Sequence, residues 1–288
     1  MFALSRHRSY FHHTYYMHNY SVTFATLNCL EHTKKCVESL LASGVSKSRL
    51  VAVDNASTDG TQQYLAQLGL GGAILNRQNL SCGAAWNQGI LAQQSEWTIV
   101  MNNDIVVAPG FAHRLIEFAG AHQLKLVSPA RIDGTADYDF TLFAGKAQKN
   151  MGSAVRWGSS NAICMCIHWS LFNQIGFFRA NPTLLGFEDG LFFNEVRKHG
   201  IAHATTGSVW IHHFGSVTQE HMKMVLGIQS KEVLIKVNDR KLYGQNWLER
   251  KLYRYHLKRE HLEWRKKELR DFGMTLHGTR KDHSFVWL

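Results

Sequence analysis

Short, β-branched apolar runs alternate with helix-period stretches along the first half of the chain. SVTFAT (21–26) reads as a strand, and a helical pattern follows from Glu31 to Ala42. RLVAVDN (49–55) is a second strand, and STDGTQQYLAQL (57–68) opens a helix with Ser, Thr and Asp at its start. AILN (73–76) predicts a short strand, GAAWNQGILAQQ (83–94) a helix, and WTIVMNND (97–104) a further strand. A helix is expected after Pro109 and a strand over LKLVSPA (124–130). Between 131 and 160 the pattern breaks, and a covering loop is expected. GSSNAICMCIHWSLFNQIG (158–176) reads as buried and then helical, GFEDGLFFNEVRKHG (186–200) as a helix that starts on two acids, and IAHATTGSVWIHHFGS (201–216) as a last strand.

Strands that alternate with helices of this length imply an α/β fold: a Rossmann-like, mostly parallel sheet flanked by helices. Ligands of such sheets bind beyond the carboxyl ends of the strands. That rule selects Thr26, Leu27 and Asn28 after the first strand, Asp54 to Ser57 after the second, Asn76 and Arg77 after the third, and Asn102, Asn103 and Asp104 after the fourth.

Beyond residue 220 the character changes. Leu248, Tyr255, Leu262 and Leu269 recur every seven residues, with Leu252 widening the stripe, and Lys and Arg fill the other faces. The net charge of the 288-residue chain is +10. Residues 231–288 carry 15 Lys/Arg against 8 Asp/Glu, so most of the excess lies there and favours anionic partners. The five cysteines are odd in number and form no C-x-x-C pair, which points to reduced thiols, with Cys164 and Cys166 in the core. No run reaches the ~18 apolar residues of a membrane helix. The His- and Tyr-rich start of the chain is read as a disordered extension.

Four stretches carry chemistry. In AVDNASTDGT (52–61), Asp54 could accept a hydrogen bond from a nucleotide base while the Ser57–Gly60 region caps the helix or approaches a ribose; an ordinary βα turn with capping residues is the competing reading. NRQNLSCGAAWNQGI (76–90) adds Asn79, Gly83, Asn87 and Gly89, small or polar residues that let a helix pack closely on a nucleotide or a sheet. MNND (101–104) offers Asp104 as an oxygen ligand for a divalent cation that would neutralise a diphosphate, against a plain β-turn. In FED (187–189), Asp189 is the candidate general base and Glu188 positions an acceptor, against two acids that merely stabilise a helix N-terminus. His212 and His213 are candidate further ligands, and the sequence does not choose between them.

Taken in order, these motifs resemble the GT-A glycosyltransferases of family 2, over residues 20–220. The matching stretches are Thr26-Leu27-Asn28, VDNASTDGT, NLSCGAAWNQG, MNND, GFEDGLFFNEVRKHG and HHFGS. The N-N-D in place of D-x-D is similar to the rhamnosyltransferase-like branch. The resemblance implies a GT-A fold and an inverting transfer of one sugar from a UDP- or dTDP-linked donor to a glycan or lipid-linked acceptor in cell-surface polysaccharide or lipopolysaccharide synthesis. It implies that Thr26, Asn28, Asp54, Asn55, Ser57, Asn79, Gly83, Asn87, Asn102 and Asn103 hold the nucleotide-sugar. Mn²⁺ or Mg²⁺ would sit on Asp104 with His212 or His213, and Asp189 with Glu188 would be catalytic. The chain departs from the family's usual opening at Ala25 to Cys29 and lacks the first carboxylate at Asn102. It has no Q-x-x-R-W motif, which argues against a processive synthase.

Three units are thus expected: an extension (1–19), a catalytic domain (20–220), and a basic helical appendage (221–288), with two open readings: residues 231–270 lie against an anionic membrane surface at the inner, cytoplasmic face, or the appendage packs on the catalytic domain with its Lys and Arg solvated. A sugar-phosphate nucleotidyltransferase would want a Gly-rich, basic loop after the first strand, which ATLNCLEHTKK does not provide. A catalytically dead sugar-nucleotide binder would not need Asp104 and Asp189. No helix-turn-helix, zinc or RNA-binding signature supports nucleic acid as a partner.

Overall fold

The computed structural model describes residues 19–180, 188–215, 244 and 246–288. The expected extension up to residue 18, Gly186 and Phe187 of the GFED stretch, Ser216 and the start of the basic region lie outside them.

Four strands make the parallel half of the sheet: β1 (Tyr20–Thr26), β2 (Leu50–Asp54), β3 (Gly72–Leu75) and β4 (Trp97–Asn102), in the order β3-β2-β1-β4. Their runs are apolar on both faces because both faces are covered. Ile99 and Met101 pack under the helices α1 (Leu30–Ala42), α2 (Thr61–Gln67) and α4 (Phe111–Ala121). Val100 points the other way, towards α3 (Cys82–Ala92), α6 (Trp169–Ile175) and α7 (Glu188–Lys198). The α2 helix starts later than its capping residues suggest, since Asp59 hydrogen-bonds the Leu30 and Thr61 backbone and Gly60 takes φ 93°.

Beyond β4 the sheet is mixed, not parallel. Short β5 (Ile105–Val107) pairs antiparallel with β9 (His203–His213). β8 (Cys164–His168) runs antiparallel between β4 and β6 (Leu126–Gly134), and β9 lies parallel along the other edge of β6. The stretch expected as a covering loop is largely ordered. It holds the end of β6, the helix α5 (Phe140–Met151) and β7 (Val155–Trp157). Asp139 caps α5 on the Leu142 N–H, and Phe140, Ala144, Ala147 and Met151 bury one face at helical spacing.

The C-terminal expectation also needs correcting. One long helix is present, α8 (Trp247–Phe272), started by a reciprocal Asn246–Glu249 capping box. The chain then returns to the sheet as β10 (His277–Lys281) and β11 (Ser284–Trp287). β10 pairs parallel with Arg131 to Gly134 on the edge that β8 leaves open, and Asp282 and His283, both at positive φ, turn the hairpin. No helix among the described residues is long and apolar enough to cross a membrane.

One glycine sets how closely α3 approaches the sheet. A Cβ on Gly89 would sit 1.8 Å from Thr23 Oγ1 and 2.9 Å from Thr23 Cβ. Gly89→Ala is therefore expected to destabilise the protein by about 1–3 kcal/mol through overpacking, despite alanine's better helix propensity. Urea denaturation checks this; unchanged stability would mean that α3 shifts freely on β1.

Candidate active site

The register of the parallel strands brings the polar ends into line. Thr26 stands opposite Asp54, and Ala25 opposite Asn102, so Asp54 and Asn102 flank the end of β1. Neighbouring strands are ~4.8 Å apart, which leaves about 10 Å between them.

Asp54 is fully buried. Its Oδ1 accepts from the Ser57 N–H and from Gln62 Nε2, both at 2.8 Å. Its Oδ2 is buried with no hydrogen-bond partner among the described residues. A buried carboxylate oxygen without a donor is costly, and a ligand N–H at this strand end would satisfy it.

Around Asp54 most of the polar residues stitch loops together. The Asn28 N–H donates to Ser57 Oγ at 2.6 Å, and Asn28 Oδ1 accepts from the Thr58 N–H at 2.8 Å. Asn28 and Cys29 both lie at positive φ to make this approach. Asn55 Nδ2 donates to the Ser81 carbonyl, and its Oδ1 accepts from Asn76 Nδ2. Asn79 Oδ1 accepts from the Ser81 N–H. Asn103 Nδ2 donates to the Thr26 and Thr33 hydroxyls at 3.1 and 2.9 Å, tying β4 to β1 and α1. Asn87 exchanges both amide bonds with the backbone of Phe178, 91 residues on. These side chains shape the cradle: Asn87 and Asn103 point into the protein rather than into the cleft. The half-buried Asn102 makes no side-chain hydrogen bond among the described residues.

Asn103 and Asp104 bend the chain between β4 and β5, so MNND is a turn and a cluster at once. Asp104 Oδ2 faces His213 Nε2 at 3.5 Å, and His213 Nδ1 lies 3.0 Å from Asp133 Oδ1. Burial alone would lower the His213 pKa; hydrogen bonds to Asp104 and Asp133 overcome it and hold it at about 9. His212, next on the strand, points to the opposite face, where its Nδ1 meets the Tyr138 hydroxyl at 2.9 Å. Burial and the His213 charge lower its pKa to about 4. The strand's alternation thus separates the two histidines, and His213 is the one that faces Asp104.

Asp133 was invisible to the strand-end rule because β6 runs four residues past its expected end. Burial would raise its pKa, but bonds from His213 and His277 and the Arg131 charge hold it far below the carboxylate range. His277 Nε2 approaches Asp133 Oδ2 at 2.8 Å from β10, a contact with no local signal in the sequence.

Glu188 and Asp189 open α7. Glu188 is only 2% exposed and packs on α3, where a Cβ on Gly83 would meet its Cγ at 2.7 Å. Burial raises its pKa against hydrogen bonds from Ser81 and the Gly83 backbone. It joins α7 to α3. Asp189 is half-buried, and its Oδ1 accepts from the Gly190 N–H at 2.8 Å. Cys82 links the acids: its thiol pKa is raised by burial and then by the charges of Glu188, Asp189 and Asp104.

A divalent cation fits this set in a limited way. Among the described residues no three His, Cys, Asp or Glu side chains form a metal cage. Asp104 and His213 face each other at 3.5 Å and are the two groups that could hold a cation, the imidazole giving up its Nε2 proton on binding, and Asp133 fixes the ring from behind. The remaining positions would fall to ligand oxygens and water.

Comparison with known proteins now bears on the geometry. The family model described as "Glycosyl transferase family 2" matches residues 21–177. No curated protein matches the chain. Among solved structures, the crystal structure of GalNAc-T7 with UDP, GalNAc and Mn²⁺ is similar at 13% identity and a TM-score of 0.53. The similarity covers 68% of this chain but only 44% of that one, and it concerns the fold, the GT-A arrangement of a mixed, curled sheet between helices.

Proposed function

Since the chain belongs to glycosyl transferase family 2, we propose that it moves a single sugar, with inversion, from a UDP- or dTDP-linked donor to a hydroxyl of a glycan or lipid-linked acceptor. The observation that carries this reading is the line of polar strand ends, with Asp54 and Asn102 flanking the end of β1, the buried Asp54 Oδ2 without a hydrogen-bond partner among the described residues, and Asp104 facing His213 just beyond β4.

Asp54 Oδ2 accepts the base N–H of the donor nucleotide. Asp104 and His213 hold the divalent cation, Mn²⁺ or Mg²⁺, which when bound neutralises the charge of the diphosphate leaving group. Asp189, at the start of α7, takes the proton of the acceptor hydroxyl as that oxygen attacks the anomeric carbon from the face opposite the diphosphate. The Gly190 N–H keeps the Asp189 carboxylate in place. The N-N-D variant supports the rhamnosyltransferase-like branch, and lipopolysaccharide or capsule-type polysaccharide is the proposed product. A position on the cytoplasmic membrane surface is supported by α8, which exposes Trp247, Leu248, Leu252, Tyr255 and Leu262 among its Lys and Arg residues.

A panel of UDP-, dTDP- and GDP-sugars with Mn²⁺, read by nucleotide release and thermal shift, tests the assignment. One donor class should be hydrolysed slowly and should raise the melting temperature only with the cation. Asp133→Asn should weaken Mn²⁺ binding about 10–100-fold, measured by titration calorimetry, because the imidazole loses its partner. If no donor binds or is turned over, the transferase reading fails.

A further inference from the structure

Three neighbouring strands bring four polar side chains together behind the cation candidates. β9 carries His213, β6 carries Arg131 and Asp133, and β10 carries His277. His213 stands opposite Asp133 in one ladder, and His277 stands opposite Arg131 in the next. Arg131 and Asp133 are two residues apart, so they share a face of the sheet. Asp133 therefore has an imidazole on each side.

Both of its oxygens are engaged. His213 Nδ1 lies 3.0 Å from Asp133 Oδ1, and His277 Nε2 lies 2.8 Å from Asp133 Oδ2. Arg131 Nε donates across the pair at 3.2 and 3.3 Å, and its Nη2 lies 3.3 Å from His277 Nδ1. A guanidinium can only donate, so His277 Nδ1 must accept. The proton of the neutral ring then sits on Nε2, aimed at Asp133. Burial and the Arg131 charge lower the His277 pKa against the Asp133 hydrogen bond, which leaves the ring neutral near neutral pH. The Thr279 hydroxyl donates to the Asp133 carbonyl at 3.2 Å, so β10 grips the backbone of this residue as well.

An Asp carboxylate by itself turns over a broad range about its last torsion. Held by His213 on one oxygen and His277 on the other, it cannot turn without breaking both bonds. From this arrangement we infer that His277 is a positioning residue of the proposed cation site: through Asp133 it holds the His213 imidazole with Nε2 towards Asp104. The inference rests on the proposed function, which seats a divalent cation on Asp104 and His213. His277 stands one carboxylate away from that cation and does not touch it, and β10 becomes part of what completes the site.

Mn²⁺ titration of the full chain by calorimetry, with urea denaturation of each variant beside it, makes the test. His277 lines a cavity of about 680 Å³ and not closed core, so substitution there should leave β10 docked. His277→Leu removes the donor and should weaken Mn²⁺ binding about tenfold in a protein that remains folded. His277→Gln offers an amide N–H near the place of Nε2 and should bind Mn²⁺ within about threefold of wild type. Asp133→Asn/His277→Leu should bind no more weakly than Asp133→Asn, because both changes break one path. If His277→Leu does not fold, His277→Phe, which keeps a ring without the N–H, should show the same loss. Unchanged affinity without the donor, no recovery in His277→Gln, or losses that add in the double variant would overturn the inference and leave the cation site standing. Absence of Mn²⁺ binding by wild type strikes the cation site itself, and the inference falls with it.

Discussion

Asp189→Asn is expected to lower turnover by about 10²–10⁴-fold and to leave donor affinity unchanged. The amide keeps the size of the side chain and can still accept from the Gly190 N–H with its oxygen, so the start of α7 is preserved. What is lost is the ability to take a proton from an attacking hydroxyl. Donor binding depends on Asp54, Asp104 and their neighbours on other elements, so the two effects separate. Single-turnover transfer together with donor titration makes the measurement. Residual turnover within tenfold of wild type would remove Asp189 from the role of base.

The second large effect concerns stability. Arg156 Nε and Nη2 donate to the two oxygens of Glu268 at 2.6 and 2.7 Å, and Glu268 Oε2 also accepts from the Leu276 N–H at 2.8 Å. Both side chains are 7% exposed. Glu268 is the one buried residue of α8, so this pair is the main clamp between that helix, β7 and the return to β10. Arg156→Ala strands a carboxylate in a buried place and should destabilise the protein by about 3–5 kcal/mol. Arg156→Met with Glu268→Leu should cost much less than either single truncation, because no charge is left without its partner. Guanidinium denaturation of wild type, Arg156→Met, Glu268→Leu and the double variant closes the cycle. A loss below about 1 kcal/mol for Arg156→Ala would mean that the pair is solvated in practice.

What could be read from residues alone follows how local the determining contacts are. The parallel half was legible because LVAVD and WTIVMN are apolar on both faces, and polar residues end each run. Asp104 and Asp189 stood out for the same reason, as acids at the ends of apolar or helical patterns. Other features depend on partners far along the chain. Nothing near Asn87 announces that Phe178 will take its amide, and nothing near Asn103 shows that Thr26 and Thr33 will. Asp133 was missed because Pro129 and the charged Arg131 disguise the continuation of β6. The α5 helix had a readable apolar spacing, but its Gly, Lys and Asp neighbours outweighed it. The choice between His212 and His213 needed only the strand's alternation, once the pairing of β9 with β5 set which face meets Asp104.

The return of the chain to β6 has a kinetic meaning. Arg131 and His277 are 146 residues apart, yet they share one parallel ladder and one carboxylate. Closing so long a loop is entropically slow, and parallel pairing cannot begin with a local turn. On a refolding chain the seam beside Asp133 is therefore among the last to zip. The imidazole that faces Asp104 acquires its full set of neighbours only when the most distant part of the described sequence has docked, so native-like secondary structure should recover before the capacity to bind a cation does.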